Sequence, residues 1–275
     1  MSNNSSCTTP KAKKSLGQNF LQDDNICRRI ADLLDTTDTD RIIEIGPGPG
    51  ALTRFLQASP HSLLILLEKD TWWVSERQRV ADCRTQAVLT DALAFDWSRI
   101  SPQYPWIITG NLPYNVASPL IWDISAQATG LVRAVFMVQK EVGQRLCAQP
   151  GTKQYGALSA WVQSHVRPTL EFIVRPGAFS PQPKVDSAVV SFTPLPVAQR
   201  PTAPDSLKRI LSLCFQQRRK QLGGIFRRAE LSDWEDILGA LRIEPTLRPE
   251  ALSPDIFNKM AVSFKTILTN HEKKS

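Results

Sequence analysis

Three acidic residues follow successive apolar runs: Glu44 after Ile42-Ile43, Glu68 after Leu63–Leu67, and Asp91 shortly after Ala87–Leu89. The first leads into Gly46, Gly48 and Gly50 in the stretch "IIEIGPGPGALT". Glycines at such a point let the backbone pass close to a ligand at angles that other residues resist. A strand, a glycine loop and then a helix make a nucleotide seat. Glu68 lies at a suitable distance to hold ribose hydroxyls through its two oxygens, and Asp91 has the chemistry to accept from an adenine amino group. A fourth run, Trp106–Ile108, leads into Thr109-Gly110-Asn111-Leu112-Pro113-Tyr114-Asn115, which places an amide, a rigid proline and an aromatic ring together. Taken alone, that stretch is loop punctuation after a strand. Gly46-x-Gly48-x-x-Ala51 also satisfies the relaxed dinucleotide fingerprint, but a dinucleotide site uses only the first two acids. A seat for S-adenosylmethionine uses all of them, with the glycine loop under the methionine part, Glu68 on the ribose, Asp91 at the adenine and Asn111 facing the methyl donor. A nucleotide-dependent oxidoreductase is the rival reading; it predicts NAD affinity and indifference to Asn111→Ala.

These residues need a scaffold that brings strand ends together. Ile42–Ile45, Leu63–Leu67, Ala87–Leu89, Trp106–Ile108 and Val132–Val138 read as buried strands, and Ala51–Ala58, Thr71–Ala81 and Ser118–Ala126 between them read as helices. That alternation implies right-handed crossovers and a mostly parallel sheet covered on both faces. Upstream, Asp24 is placed to cap a helix with Ile26, Ile30, Leu33 and Leu34 on one face. Downstream, Val166–Val174 and Ala188–Thr193 read as further strands at an antiparallel edge. Four prolines in "PLPVAQRPTAP" then mark a boundary, beyond which apolar residues recur only at helical spacing. The expected organisation is α/β: a flexible tail over 1–12, a sheet domain over 13–195 and a small all-helical domain over 196–275.

Among 275 residues, 42% are hydrophobic and 21% charged, as in a soluble globular protein. No apolar run has the roughly 18 residues of a membrane span, and the polar N-terminus has no signal-peptide core, so a cytoplasmic location is expected. The five cysteines are scattered without C-x-x-C pairing and the three histidines show no ligand spacing, so no metal site is expected. The net charge of +7 points to an anionic partner. Its distribution is more specific. Seven cations and no acid lie between Lys208 and Arg228, including Arg218, Arg219, Lys220, Arg227 and Arg228, and a second cluster holds Lys11, Lys13 and Lys14. Two such clusters flanking a nucleotide seat suggest phosphate binding, here of RNA.

With the glycine loop, "LEKD", "DAL" and "NLPY" in that order, the chain resembles the Rossmann-like S-adenosylmethionine-dependent methyltransferases that act on adenine. "KSLGQNFL" at Lys14–Leu21 and "FSPQPKVDS" at Phe179–Ser187 are similar to stretches of the ribosomal RNA adenine dimethyltransferases, and "RRK" at Arg218–Lys220 with "RPEALS" at Arg248–Ser253 extends the likeness. Leu222-Gly223-Gly224 departs from that family's polar, asparagine-containing helix and puts the local helix in question. The resemblance implies a Rossmann-like methyltransferase domain carrying a helical RNA- or ribosome-binding domain. It implies S-adenosylmethionine as cofactor, held by Asn19, Leu21, Gly46, Gly48, Glu68, Asp91 and Asn111. The implied substrate is 16S rRNA in the small ribosomal subunit or its precursor, dimethylated at two adjacent adenines near the 3′ end. The branch that methylates 23S rRNA and a non-catalytic assembly factor are the alternatives. A monomer is expected.

The chemistry then falls on few residues. An adenine amino group is a poor nucleophile because its lone pair is delocalised into the ring. The side-chain oxygen of Asn111 and the carbonyl of Leu112 would accept its hydrogens out of the ring plane, and Pro113 would fix the turn. A base in folded RNA must leave its stack at a cost of a few kcal/mol, and Tyr114 and Phe179 are the rings expected to receive it.

Overall fold

A computed structural model describes residues 19–272, with side chains to 268. Lys11, Lys13 and Lys14, and the proposed tail over 1–12, lie outside the described residues. Nine strands and eleven helices follow one another as β1 (Phe20–Leu21), α1 (Asp24–Leu34), β2 (Arg41–Ile45), α2 (Thr53–Ala58), β3 (Leu63–Glu68), α3 (Thr71–Arg79), β4 (Thr85–Leu89), β5 (Trp106–Asn111), α4 (Ala117–Gln127), β6 (Leu131–Gln139), α5 (Lys140–Leu146), α6 (Ala157–Gln163), β7 (Val166–Val174), β8 (Phe179–Ser180), β9 (Ser187–Pro194), α7 (Pro204–Gln216), α8 (Leu222–Arg228), α9 (Trp234–Ala240), α10 (Pro254–Ser263) and α11 (Lys265–Glu272). Seven strands form one sheet in the order β4-β3-β2-β5-β6-β9-β7, and β1 pairs with β8 in a separate two-stranded ribbon. Pairing is parallel from β4 through β6 and antiparallel for β6–β9 and β9–β7, which gives the expected α/β architecture with an antiparallel edge.

Strand alternation sorts the apolar residues to the two faces. Ile42, Leu64, Leu66, Ile107, Val135 and Met137 pack with Cys27, Ile30, Ala31 and Leu34 of α1 and Leu56 of α2. Their sequence neighbours Ile43, Leu67, Ile108, Ala134 and Phe136 face the other way, into a larger core with α4, α6 and the C-terminal helices. That second core is continuous: Leu207, Ile210, Phe226, Phe257 and Phe264, all fully buried, belong to the same cluster as the sheet residues. Among the described residues no helix is long and apolar enough to cross a membrane.

Several local expectations are corrected. Asp23, not Asp24, caps α1: its backbone is extended and its side chain accepts from the amides of Asn25 and Ile26, while Asp24 sits in the first turn. Such a cap contributes about 1 kcal/mol. β4 is not a buried strand. It has only β3 as a neighbour, and Val88 and Leu89 are 39% and 55% exposed at the sheet edge. α8 forms despite its two glycines, and a Cβ on Gly223 would stand 3.1 Å from the Trp234 ring, a tight contact at the start of α9.

The correction that matters most for the site concerns β5. It does not stop at Ile108 but continues through Thr109-Gly110-Asn111, paired to β2 at Ile45↔Gly110 and to β6 at Asn111↔Met137. The Thr109 hydroxyl donates to the Val135 carbonyl, so that polar residue is satisfied inside the sheet. A Cβ on Gly110 would lie 2.5 Å from the Ile45 carbonyl oxygen. Glycine is therefore required for β5 to reach the level of the glycine loop. Three of the seven residues of "TGNLPYN" are strand, and the turn begins only at Leu112.

Candidate active site

The chain runs outward from β2 through β3 to β4, then returns to the other side of β2 as β5. The order reverses between β2 and β5, and ligands of open α/β sheets bind outside the carboxyl ends of the strands at such a point. A cavity of about 250 Å³ lies there, lined by residues from the ends of β2, β3 and β5, from the turn after β4 and from the entry strand β1. Asn19, Gly46, Gly48, Glu68, Asp91, Asn111, Leu112, Pro113 and Tyr114 all line it, so most of the expected site converges.

Gly46, Gly48 and Gly50 have φ of +66°, +47° and +85°, a region in which side chains are strained. A Cβ on Gly46 would meet nothing within 4 Å, so here the free space lies on the ligand side. A Cβ on Gly48 would stand 3.0 Å from the Phe20 ring, which closes over the loop with its edge on Trp73.

Glu68 is 7% exposed and its carboxylate is aimed by the main chain. Oε1 accepts from the amides of Lys69 and Asp70 at 2.8 and 2.9 Å, and Oε2 from Gly48 at 3.2 Å. Burial pushes its pKa up and these amides pull it back. Each oxygen has two lone-pair directions, so the three amides fix the carboxylate, fill Oε1 and leave one position, on Oε2, for a hydroxyl donor. Asp91 is held differently. Oδ2 takes Lys69 Nζ at 2.6 Å and Oδ1 takes the amide of Leu93 at 3.0 Å, and the Lys69 contact, followed by that amide, lowers its pKa. Lys69 lines the cavity as well. It stood in "LEKD" beside Glu68, but nothing in the sequence pairs it with a residue 22 positions on.

Asn111 donates Nδ2–H to the Asn19 carbonyl at 2.8 Å. A carbonyl can only accept, so this contact fixes which way the amide points and leaves Oδ1 as the acceptor at the cavity. The Leu112 amide continues the strand by donating to Met137, and the Pro113 carbonyl takes the amides of Val116 and Ala117 at the start of α4. The Leu112 carbonyl is left as the main-chain acceptor of the stretch. Tyr114 is half-buried, with its hydroxyl 2.9 Å from Ser187 Oγ.

The family model for ribosomal RNA adenine dimethylase matches residues 9–238. The chain belongs to the ribosomal RNA adenine dimethylase family. The chain is 54% identical over 253 residues to ribosomal RNA small subunit methyltransferase A of Nitratidesulfovibrio vulgaris strain Hildenborough, covering 90% of this chain and 94% of that one. It is 44% identical over 270 residues to the protein of the same name in Lawsonia intracellularis, covering 97% and 99%. Among solved structures it is similar to a dimethyladenosine transferase from Plasmodium falciparum, with a TM-score of 0.78 and 26% identity over 90% of this chain and 98% of that one. A 23S rRNA methyltransferase shares the fold at a TM-score of 0.67 and 21% identity, over 90% and 100%.

Within this adenine dimethylase frame, four expectations change. Leu21 is 4% exposed in the core and is not part of the cavity wall, so any contact from it to a ligand is left to its main chain. Phe179 pairs with Leu21 across β1 and β8 and is 3% exposed. Its ring is buried in the same core cluster as Leu21 and does not line the cavity. Glu44 is 2% exposed and lies outside the cavity lining; it accepts from Thr53 Oγ1 at 2.7 Å. Burial raises its pKa to about 7 against the pull of Thr53 and of the Arg77 charge. Glu44 thus braces the first turn of α2, and the sequence misled because an acid at a strand end looks the same whether it faces the ligand or the helix.

Arg218 also differs from its neighbours. Nε donates to Glu250 Oε2 at 2.6 Å and Nη2 donates to the carbonyls of Lys153 and Thr152 at 2.8 and 3.3 Å. It ties the C-terminal helices to the segment before α6 rather than waiting for phosphate. Arg219, Lys220 and Arg228 are exposed around a surface hollow of about 380 Å³, joined there by Arg248, which the local charge run had not included. Arg227 is exposed and its guanidinium stands 5.8 Å from the Trp234 ring centre.

Proposed function

We propose that the chain transfers methyl groups from S-adenosylmethionine to the N6 atoms of two adjacent adenines near the 3′ end of 16S rRNA, two to each, in the small ribosomal subunit or its precursor. Family membership supports the reaction class, and the near full-length likeness to small-subunit methyltransferases supports the substrate. The observation that carries the reading is that Asn111, Leu112 and Tyr114 line the same cavity as Gly46, Glu68 and Asp91.

The cavity fits the cofactor. The open side of Gly46 admits close approach, Glu68 Oε2 keeps one aimed lone pair for a ribose hydroxyl, and Asp91 is held ionised by Lys69 as an acceptor. When bound, S-adenosylmethionine supplies a methyl group on a sulfonium, transferred by in-line displacement. The protein's work is positioning, which can contribute several kcal/mol when reacting atoms are held close and collinear. Asn111 and the Leu112 carbonyl take the two amine hydrogens and favour the pyramidal, nucleophilic nitrogen. Pro113 keeps the two acceptors in fixed relation, and Tyr114 offers a ring whose stacking returns about 1–3 kcal/mol toward the cost of flipping the base. Asparagine rather than aspartate avoids another negative charge beside Glu68 and Asp91.

Arg219, Lys220, Arg227 and Arg228, with Lys11, Lys13 and Lys14, serve RNA phosphates, where shape rather than base reading gives selectivity. A monomer is the proposed state. The test is transfer of labelled methyl to unmodified small-subunit particles and, separately, to 23S rRNA. Label in the small subunit alone is expected; label only in 23S rRNA transfers the protein to the other branch, and label in neither refutes the proposal.

A further inference from the structure

Tyr114 raises a question that stacking does not answer. A phenylalanine would offer the same face to a base, yet the tyrosine hydroxyl is bonded, at 2.9 Å, to Ser187 Oγ, 73 positions away and fully buried. Ser187 opens β9 and is paired on both sides, to Gln139 of β6 and to Val174 of β7. The residue before it is anchored as well. The Asp186 carbonyl accepts from the Lys140 amide at 3.0 Å, and its carboxylate takes Lys140 Nζ and Arg175 Nη1, each at 3.2 Å. Tyr114, by contrast, lies in a turn between β5 and α4 and lines the cavity. The sheet thus holds the serine on both sides, whereas the tyrosine belongs to a turn.

We infer that Ser187 is a positioning residue for the methyl acceptor: by holding the Tyr114 hydroxyl it sets the ring in the orientation that receives the flipped adenine. The inference rests on the proposed adenine chemistry and adds a residue that touches neither substrate nor cofactor. A side chain fixed before the substrate arrives lowers the cost of ordering it afterwards. Glu68, Asp91 and the glycine loop make no contact with this pair among the hydrogen bonds of the cavity. The effect should therefore fall on RNA-dependent methyl transfer and not on cofactor binding.

The experiment is a double-mutant cycle with Ser187→Ala, Tyr114→Phe and the double variant. Single-turnover methyl transfer to unmodified small-subunit particles is measured for each, with S-adenosylmethionine affinity by calorimetry. Each single variant is expected to lose roughly five- to tenfold in rate, about 1–1.4 kcal/mol at 1.36 kcal/mol per tenfold. The double variant should be within about twofold of either, because both remove one bond, and cofactor affinity should stay within about twofold of wild type. Losses that multiply in the double variant overturn the inference, as does a Ser187→Ala protein with wild-type rate, or a parallel loss of cofactor affinity. If Ser187→Ala does not fold, Tyr114→Phe decides alone, since it keeps the ring and deletes the hydroxyl: a wild-type rate overturns the inference and a selective rate loss supports it. A wild-type protein that methylates no adenine refutes the proposed function instead, so the two failures are distinguishable.

Discussion

Asn111→Ala removes two hydrogen bonds that act in different states. The bond from Nδ2 to the Asn19 carbonyl, at 2.8 Å, exists in the resting protein. Its net contribution to folding is about 1 kcal/mol, which for a chain of this size lowers the melting temperature by about 2–4 °C. The bond accepted by Oδ1 matters later. As the new nitrogen–carbon bond forms, the amine nitrogen becomes cationic and its N–H groups become stronger donors, so this contact tightens toward the transition state. Charge-assisted bonds are roughly twice as strong as neutral ones. Removing one preorganised partner of this kind costs about 2.7–4 kcal/mol of barrier, or roughly 10²–10³ in rate. The Glu68 and Asp91 contacts are untouched, so cofactor affinity should fall by less than about tenfold. The assay is single-turnover transfer of labelled methyl to unmodified small-subunit particles, beside calorimetric titration with S-adenosylmethionine and thermal denaturation. A folded Asn111→Ala protein whose rate stays within about tenfold of wild type refutes the assignment of Oδ1 as an acceptor of the target amine.

Gly50→Ala imposes a side chain at φ +85° and sets its Cβ 1.9 Å from Arg77 Nη1. The arginine can move but the backbone angle cannot, so a loss of about 1–3 kcal/mol in stability and weaker cofactor binding are expected, read by urea denaturation and calorimetry; a protein unchanged in both contradicts the tight loop geometry. Glu44 is raised to about 7 by burial. The folded state therefore binds more protons than the unfolded chain from about pH 4 to 7, and ionisation of Glu44 lowers stability across that window by about 3 kcal/mol. Glu44→Gln should accordingly stabilise the protein at pH 8 much more than at pH 5, and equal effects at both would show that Glu44 is not a strained buried acid. Arg218→Ala should lower stability by about 1–2 kcal/mol through the lost Glu250 and main-chain contacts, leaving the salt dependence of RNA binding unchanged. Arg219→Ala and Lys220→Ala should each flatten that salt dependence by about one unit of slope with little effect on stability; a reversed pattern would mean the two roles have been exchanged.

Much of this site was legible because parallel sheets place strand ends together. Once Glu68, Asp91 and Asn111 were each assigned to a strand end, their convergence followed from topology, and the structure places all three on one cavity. What pattern could not supply was direction across the sheet. Glu44 and Glu68 both read as acids at a strand end, yet Glu44 lies opposite Leu66, two residues short of Glu68 in register, and bonds Thr53, while Glu68 ends its strand and is fixed by three amides at the cavity. Leu21 and Phe179 lie in recognisable stretches but form a buried pair, because a two-residue strand alternates too briefly for its faces to be told apart. The extent of β5 was missed because Gly110 reads as a turn residue, when its role is to clear the Ile45 carbonyl. Long-range partners such as Lys69 with Asp91, Tyr114 with Ser187 and Arg218 with Glu250 leave no local trace in the sequence at all.

The central claim is that Asn111, Leu112 and Tyr114 present adenine N6 of small-subunit rRNA to a methyl donor. Its most direct test is mass spectrometry of the 3′ fragment of 16S rRNA after unmodified small-subunit particles are incubated with the purified protein and S-adenosylmethionine. The account predicts N6,N6-dimethyladenosine at two neighbouring positions, formed roughly 10²–10³ times more slowly by the Asn111→Ala protein. Methylation on another base or another atom of adenine, or an unmodified fragment with active cofactor present, would contradict it.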